Sequence, residues 1–140
     1  MIEHIMRRDF VIADPDESLE GARQTMRMAG LRHLLVIHGD RLVGILSYRD
    51  LLERLLTAQE TDGNPPAGSA ARVGDLMTRS PSFVTPGTPL SDAADRVCRH
   101  GFGCLPVLED PVGGPAETGR LVGIVTERDL LRAAYRLRSA

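Results

Sequence analysis

Tryptophan and lysine are absent from the 140 residues, and aromatic side chains are few: Phe10, Tyr48, Phe83, Phe102 and Tyr135. So small a set leaves scarce stacking platforms for single-stranded bases. A basic surplus is also missing. All seventeen basic residues are arginine, a bias that reads as gene composition rather than chemistry, and nineteen acidic residues leave a formal net charge of −2. A protein that grips nucleic acid through its phosphates usually carries the opposite balance, so no nucleic-acid partner is expected. Two cysteines, Cys98 and Cys104, are too few to build a fold from disulfides, and a reducing cytoplasm is the expected setting. No apolar run approaches the roughly 18 residues of a membrane span. The opening Met1-Ile-Glu-His-Ile-Met6 lacks a basic stretch followed by an apolar one, so no secretory signal is expected. What remains is 42% apolar and 26% charged, the balance of a packed globular fold. The length suits one ordinary domain, or two small ones that share a core.

The chain is written twice. A shift of 71 positions places Met6 on Met77, Pro15 on Pro86, Leu19 on Leu90, Ala22 on Ala93, Gly30 on Gly101, Leu34 on Leu105 and Val36 on Val107. The second copy then carries extra residues around Pro111–Thr118, after which the shift is 79. At that shift Arg41-Leu-Val-Gly-Ile45 repeats as Arg120-Leu-Val-Gly-Ile124, and Arg49-Asp-Leu-Leu52 as Arg128-Asp-Leu-Leu131.

Each copy predicts β-α-β-β-α, an α+β fold. Phe10–Ala13 and Ser82–Thr85 are β-type runs that close on Pro15 and Pro86. A helix follows, capped by Ser18 and stopped by Gly30 in copy one, and opened by Thr88-Pro89 and stopped by Gly101 in copy two. Leu19, Ala22, Met26 and Ala29 form one buried stripe, as do Leu90, Ala93 and Val97. Leu34–Ile37 and Leu105–Leu108 read as buried strands, each with a hairpin partner at Leu42–Leu46 or Leu121–Val125. The last helix of each copy begins at Ser47 or Thr126. The expected organisation is repeat one over 1–58, a linker over 59–72 and repeat two over 73–140. A unit of about 50 ordered residues buries too little surface alone, so the copies are expected to pack together.

The residues that carry a family resemblance are Leu76-Met-Thr-Arg79, Val84-Thr-Pro86, Cys104-Leu-Pro-Val107 and above all Gly44-Ile-Leu-Ser-Tyr-Arg-Asp50 and Gly123-Ile-Val-Thr-Glu-Arg-Asp129. Together, and duplicated, they make the chain resemble a tandem pair of cystathionine β-synthase-type (CBS) domains, a Bateman module. The resemblance implies two repeats packed through their sheets with pseudo-two-fold symmetry. It further implies a homodimer, adenine nucleotides bound in clefts between repeats, and a regulatory effect on a partner protein. The implied ligands are AMP, ADP or ATP, with S-adenosylmethionine or NAD less favoured.

Ser47 and Asp50, and likewise Thr126 and Asp129, stand three apart at a helix start, on one side of its first turn. Two readings follow. One is a capping box, in which hydroxyl and acid each bond a backbone N–H. The other is a nucleoside site, because a carboxylate accepts from the two adjacent hydroxyls of a ribose while the Ser or Thr hydroxyl and the helix-start N–H groups meet phosphate. Gly44 and Gly123 would then let a ligand approach the strand. Spacing alone favours the commoner capping box, and the resemblance favours the ribose.

By the same resemblance, Asp50 and Ser47 would face Thr78, Ser82, Phe83, Phe102 and Cys104. Asp129 and Thr126 would face Arg7, Val11, Ile12, Leu31 and His33. For each apolar member taken singly, plain core is the better reading. Arg7 stands where copy two has Thr78, and Leu35 where it has Pro106, so the two sites are expected to differ. Arg49 and Arg128 are candidate phosphate clamps, although an arginine two positions past the hydroxyl points about 200° around the helix from it. Cys98 and His100, two apart on one helix, face different sides, so Cys98, His100 and Cys104 do not suggest a metal site. No P-loop, dinucleotide fingerprint or nucleophile–base–oxyanion arrangement is visible, so no catalysis is expected. The competing functional reading is a ligand-free dimerisation or docking module.

Overall fold

The computed structural model describes residues 1–60, 71–109 and 119–139. The expected linker lies mostly outside these residues, and the Pro111–Thr118 insertion wholly so. The chain forms two compact units that do not follow chain order. One is Val11–Arg79; the other joins Met1–Phe10 to the chain from Ser80 onward. They are called here the repeat-1 unit and the repeat-2 unit.

In the repeat-1 unit, β1 (Ile12–Ala13), β2 (His33–His38), β3 (Arg41–Ser47) and β4 (Thr78–Arg79) form one sheet in that order. β1 runs parallel to β2, and β2–β3 and β3–β4 are antiparallel. Helices α1 (Leu19–Ala29), α2 (Tyr48–Glu60) and the short α3 (Val73–Leu76) complete it. Leu19, Ala22, Met26, Leu34, Val36, Leu46, Leu51, Val73 and Met77 make its core. Ser18 caps α1, its hydroxyl accepting from the Gly21 N–H at 3.0 Å, and Gly30 ends it at φ 65°. Ala29, placed on the buried stripe by spacing, is exposed at that last turn.

In the repeat-2 unit, α4 (Leu90–His100), β5 (Cys104–Glu109), β6 (Arg120–Thr126) and α5 (Glu127–Ser139) follow the same plan, with a 3-10 turn at Ile2–His4. Two expectations are corrected here. The run Ser82–Thr85 is not a strand but a single parallel bridge, Val84 to Val107. In the repeat-1 unit the Leu35 N–H donates to Val11 O at 3.4 Å. Pro106 stands at the matching place in copy two and has no N–H to give, so one rung is lost. Thr88 is also not the helix cap. Pro89 occupies that position without a side-chain bond, and the Thr88 hydroxyl instead accepts from the Thr85 N–H at 2.9 Å, closing a turn before the helix.

Each unit closes with the opening segment of the other copy. Ile2 and Glu3 donate backbone N–H bonds to Thr88 O and Pro86 O, and Val73 and Gly74 do the same to Glu17 O and Pro15 O. Ile2 and its counterpart Val73 are fully buried. Arg7 then bridges Ile124, as Thr78 pairs with Ile45. The close approach needs glycine. A Cβ on Gly44 would lie 2.6 Å from Met77 Sδ and 2.9 Å from Thr78 O; one on Gly123 would lie 2.9 Å from Arg7 O. The chain itself fills the space over both glycines, which corrects the expectation that they admit a ligand. A register irregularity beside each glycine, at Val36/Ile37 and Val107/Leu108, leaves Val43 or Val122 unmatched.

Gly44→Ala and Gly123→Ala are expected to destabilise by about 1–3 kcal/mol through overpacking against backbone. Gly87→Ala, which meets nothing within 4 Å, is expected to stay near neutral. Denaturant melts of the three variants check this.

Candidate functional site

The two Ser/Thr-x-x-Asp motifs occupy the same place in their units and differ in what holds the acid. In the repeat-2 unit, Thr126 precedes α5 and Asp129 is its third residue. Asp129 Oδ2 accepts from the Thr126 N–H at 3.0 Å and from its hydroxyl at 2.9 Å, and Thr126 Oγ1 accepts from the Asp129 N–H at 3.2 Å. This is a reciprocal capping box, shortened to aspartate by the added hydroxyl contact. The other oxygen, Oδ1, accepts from Arg7 Nε at 3.1 Å. The Asp129 side chain is only 7% exposed and Arg7 46%, so a buried carboxylate is neutralised by a guanidinium whose remaining nitrogens reach solvent. Asp129 is the one buried charged residue among those described.

In the repeat-1 unit, Ser47 precedes α2 and Asp50 is its third residue. Only half of the box forms: Ser47 Oγ accepts from the Asp50 N–H at 3.1 Å. The Asp50 carboxylate is half-buried and makes no hydrogen bond or ion pair among the described residues. The cause is legible in the repeat. Thr78 holds the strand position that Arg7 holds in the other unit, so no guanidinium stands there to claim the acid. Asp50 therefore keeps its acceptor capacity for two adjacent hydroxyl donors.

The remaining candidates divide between the units. Thr78 lies with Asp50 and Ser47, as do the exposed Ile12, the half-buried Val11 and Leu31, and His33. Ser82, Phe83, Phe102 and Cys104 belong to the unit of Asp129, Thr126, Arg7 and Arg128. Phe83 O accepts from Arg96, and Phe102 stacks on His100 with centroids 5.3 Å apart. Arg49, Arg128 and Glu127 are exposed, and neither arginine forms an ion pair among the described residues. Cys98 is exposed and Cys104 buried. Among the described residues no three His, Cys, Asp or Glu side chains gather closely enough to hold a metal ion, and no helix is long and apolar enough to cross a membrane.

Two features carry no sequence motif. Tyr48, Leu52 and Leu56 expose an apolar stripe on α2, and Leu131 and Tyr135 a matching one on α5; their four-residue spacing is the only signal. A groove of about 400 Å³ in the repeat-2 unit is lined by His4, Ile5, Arg7, Leu90, Asp129, Arg132, Ala133 and Arg136. Arg132 and Arg136 share a helix face with Asp129, at spacings of three and seven.

A family model described as the CBS domain matches the chain twice, over residues 2–57 and 73–136. The chain is similar to MJ1225 of Methanocaldococcus jannaschii, 29% identical over 137 residues, and spans 94% of itself but 46% of that protein. The two structures agree with a TM-score of 0.80. It is also 31% identical over 128 residues to the inosine-5'-monophosphate dehydrogenase of Korarchaeum cryptofilum, covering 91% of this chain and 23% of the enzyme. The chain thus spans less than half the length of these two curated relatives. A crystal structure of CBSX2 in complex with AMP matches with a TM-score of 0.77 and 29% identity, over 98% of this chain and 97% of that one; CBSX2 is an Arabidopsis thaliana protein.

Burial pushes the Cys104 thiol up to about 12, so it stays protonated and unreactive at neutral pH. In the native protein at pH 8, iodoacetamide is expected to modify Cys98 and spare Cys104 until denaturant is added. Mass spectrometry of the peptides reads this out.

Proposed function

Because the chain belongs to the CBS-domain family, we propose that it is a regulatory module rather than an enzyme, that it binds an adenosine-containing ligand, and that Asp50 is the residue that holds the ribose. The observation that carries this reading is the unclaimed Asp50 carboxylate beside the Ser47 hydroxyl at the start of α2. A cis-diol supplies the two donors that such a carboxylate lacks, and the helix-start N–H groups suit a phosphate. The AMP complex of the similar protein CBSX2 supports the ligand class. AMP, ADP and ATP are the leading ligands, ahead of S-adenosylmethionine and NAD. Thr78 sits where an arginine would have blocked the acid, and belongs to the same proposal.

A second reading is favoured in the other unit by a specific observation. Asp129 is engaged on both oxygens, by its own helix cap and by Arg7. There the motif serves the fold, and a ligand must displace Arg7 to reach the acid. The two positions are thus not equivalent: the Asp50 position is open and the Asp129 position is gated. Ligand affects a partner only by binding one arrangement of the module better than another. The exposed stripes, Tyr48–Leu52–Leu56 on α2 and Leu131–Tyr135 on α5, are each offered to a second copy of the chain, giving a homodimer.

Thermal melts with millimolar AMP, ADP and ATP test the ligand. At 100 times the dissociation constant, a ligand adds about 2.7 kcal/mol of stability. Asp50→Ala is expected to abolish the AMP response and leave the unliganded melt nearly unchanged. Asp129→Ala is expected to keep the AMP response but lose about 0.5–2 kcal/mol of unliganded stability with its cap. Absence of any nucleotide response in the unaltered chain overturns the adenosine reading and leaves the docking module. Sedimentation of a Leu56→Glu, Tyr135→Glu double variant tests the dimer; the expected result is a monomer.

A further inference from the structure

We propose that the groove between the opening segment and α5 in the repeat-2 unit is an anion site for a chain of phosphoryl groups, with Arg7, Arg132 and Arg136 as its cationic rim. The groove has an apolar floor of Ile5, Leu90 and Ala133, and its titratable lining is His4, three arginines and Asp129. The single carboxylate is already met by Arg7 and by the Thr126 hydroxyl and N–H. Arg7 spends only Nε on that pair, so its two terminal nitrogens keep their protons for another acceptor. Arg132 and Arg136 have no hydrogen-bond or ion-pair partner among the described residues. Three permanent cations against one compensated acid leave the groove with a positive surplus that no group among the described residues answers.

The duplicated unit supplies an internal comparison. At the matching positions the apolar floor is kept in part, as Leu76 and Leu19, but the rim is not. Asp75 stands for His4, Thr78 for Arg7, Glu53 for Arg132 and Thr57 for Arg136. The fold therefore does not demand cations along this rim, since its own copy places two acids and two threonines there, and its one arginine, Arg54, stands instead where Ala133 forms the floor. The size of the groove, about 400 Å³, has room for on the order of a dozen waters, far more than one phosphate fills. Guanidinium groups bind phosphate oxygens in paired, directed hydrogen bonds. Several cations along one groove suit several linked phosphates better than a lone carboxylate.

This inference goes beyond the adenosine reading and does not depend on it, because the phosphate chain is offered without a nucleoside. The probe is inorganic tripolyphosphate, measured by calorimetry on the whole chain, with sodium sulfate at equal ionic strength as the reference. Tripolyphosphate is expected to bind saturably while sulfate does not, and affinity is expected to fall as salt rises. Arg132→Gln with Arg136→Gln should weaken tripolyphosphate at least tenfold. Both side chains are exposed, so the double variant should melt like the parent without ligand, which separates loss of binding from loss of fold. In an Asp50→Ala chain, ATP binding more tightly than tripolyphosphate makes a nucleotide the source of the phosphates, and equal binding makes the bare phosphate chain the source. No saturable binding, equal binding of sulfate, or undiminished binding in the double variant overturns the proposal. Loss of AMP binding in Asp50→Ala with tripolyphosphate binding intact keeps the two readings distinct.

Discussion

The closing of each unit by the other copy's opening segment is the constraint on which the remaining geometry depends. Met6 and Arg7 lie over Gly123, and Met77 and Thr78 over Gly44, at distances that leave no room for a β-carbon. Neither copy is self-sufficient, which fits the small core that one such unit can bury alone. The exchange also has a chemical consequence. It delivers the residue at position 7 or 78 to the sheet edge beside a glycine that lies three residues before the helix-capping hydroxyl. Whatever side chain stands there is presented to the acid at the head of the last helix.

One substitution between the copies then decides the state of that acid. With arginine at the edge, a guanidinium reaches Asp129, and the carboxylate can be buried because charge and hydrogen bonding are both satisfied. With threonine at the edge, Asp50 has neither, and it stays half-buried and in reach of solvent. An unpaired carboxylate is costly to bury fully, so the greater exposure of Asp50 follows from the missing arginine. The Thr126 hydroxyl adds to the contrast by donating to Asp129, whereas the Ser47 hydroxyl makes no such bond to Asp50.

Much of this was legible in the sequence. The repeat, the helix stops at Gly30 and Gly101, the Ser18 cap and the β2–β3 and β5–β6 hairpins all rest on local patterns of three to seven residues, and they stand as expected. Local patterns also misled. Thr88-Pro89 has the composition of a helix start, yet the turn at Thr85 takes the hydroxyl. Ser82–Thr85 has strand composition, but pairing depends on an N–H that Pro106 cannot provide, a fact written 21 residues further on. The glycines of the two Gly-x-x-Ser/Thr motifs pointed to close approach, which is correct, but the thing that approaches is chain from more than thirty residues away. The exchange of opening segments leaves no local trace at all, because both copies carry the same segment and sequence does not say which copy it joins.

On the proposed reading, duplication lets one motif hold two roles. A capping box and a ribose clamp need the same hydroxyl and the same acid, so one residue pair cannot be fully committed to both. Two copies remove the conflict. Asp129 is spent on its helix and on Arg7, and that unit gains a firmly closed end from which Arg7 presents its free nitrogens to the groove with Arg132 and Arg136. Asp50 forgoes the stabilisation of a complete cap and keeps an open carboxylate. A ligand at Asp50 therefore competes with water, whereas a ligand at Asp129 competes with a charge-assisted pair, and the more anionic it is the better it can compensate Arg7 for the loss. On the proposed reading the chemistry of the two units diverges from that difference and from the arginines at 132 and 136: neutral sugar hydroxyls at one acid, and phosphate charge beside the other.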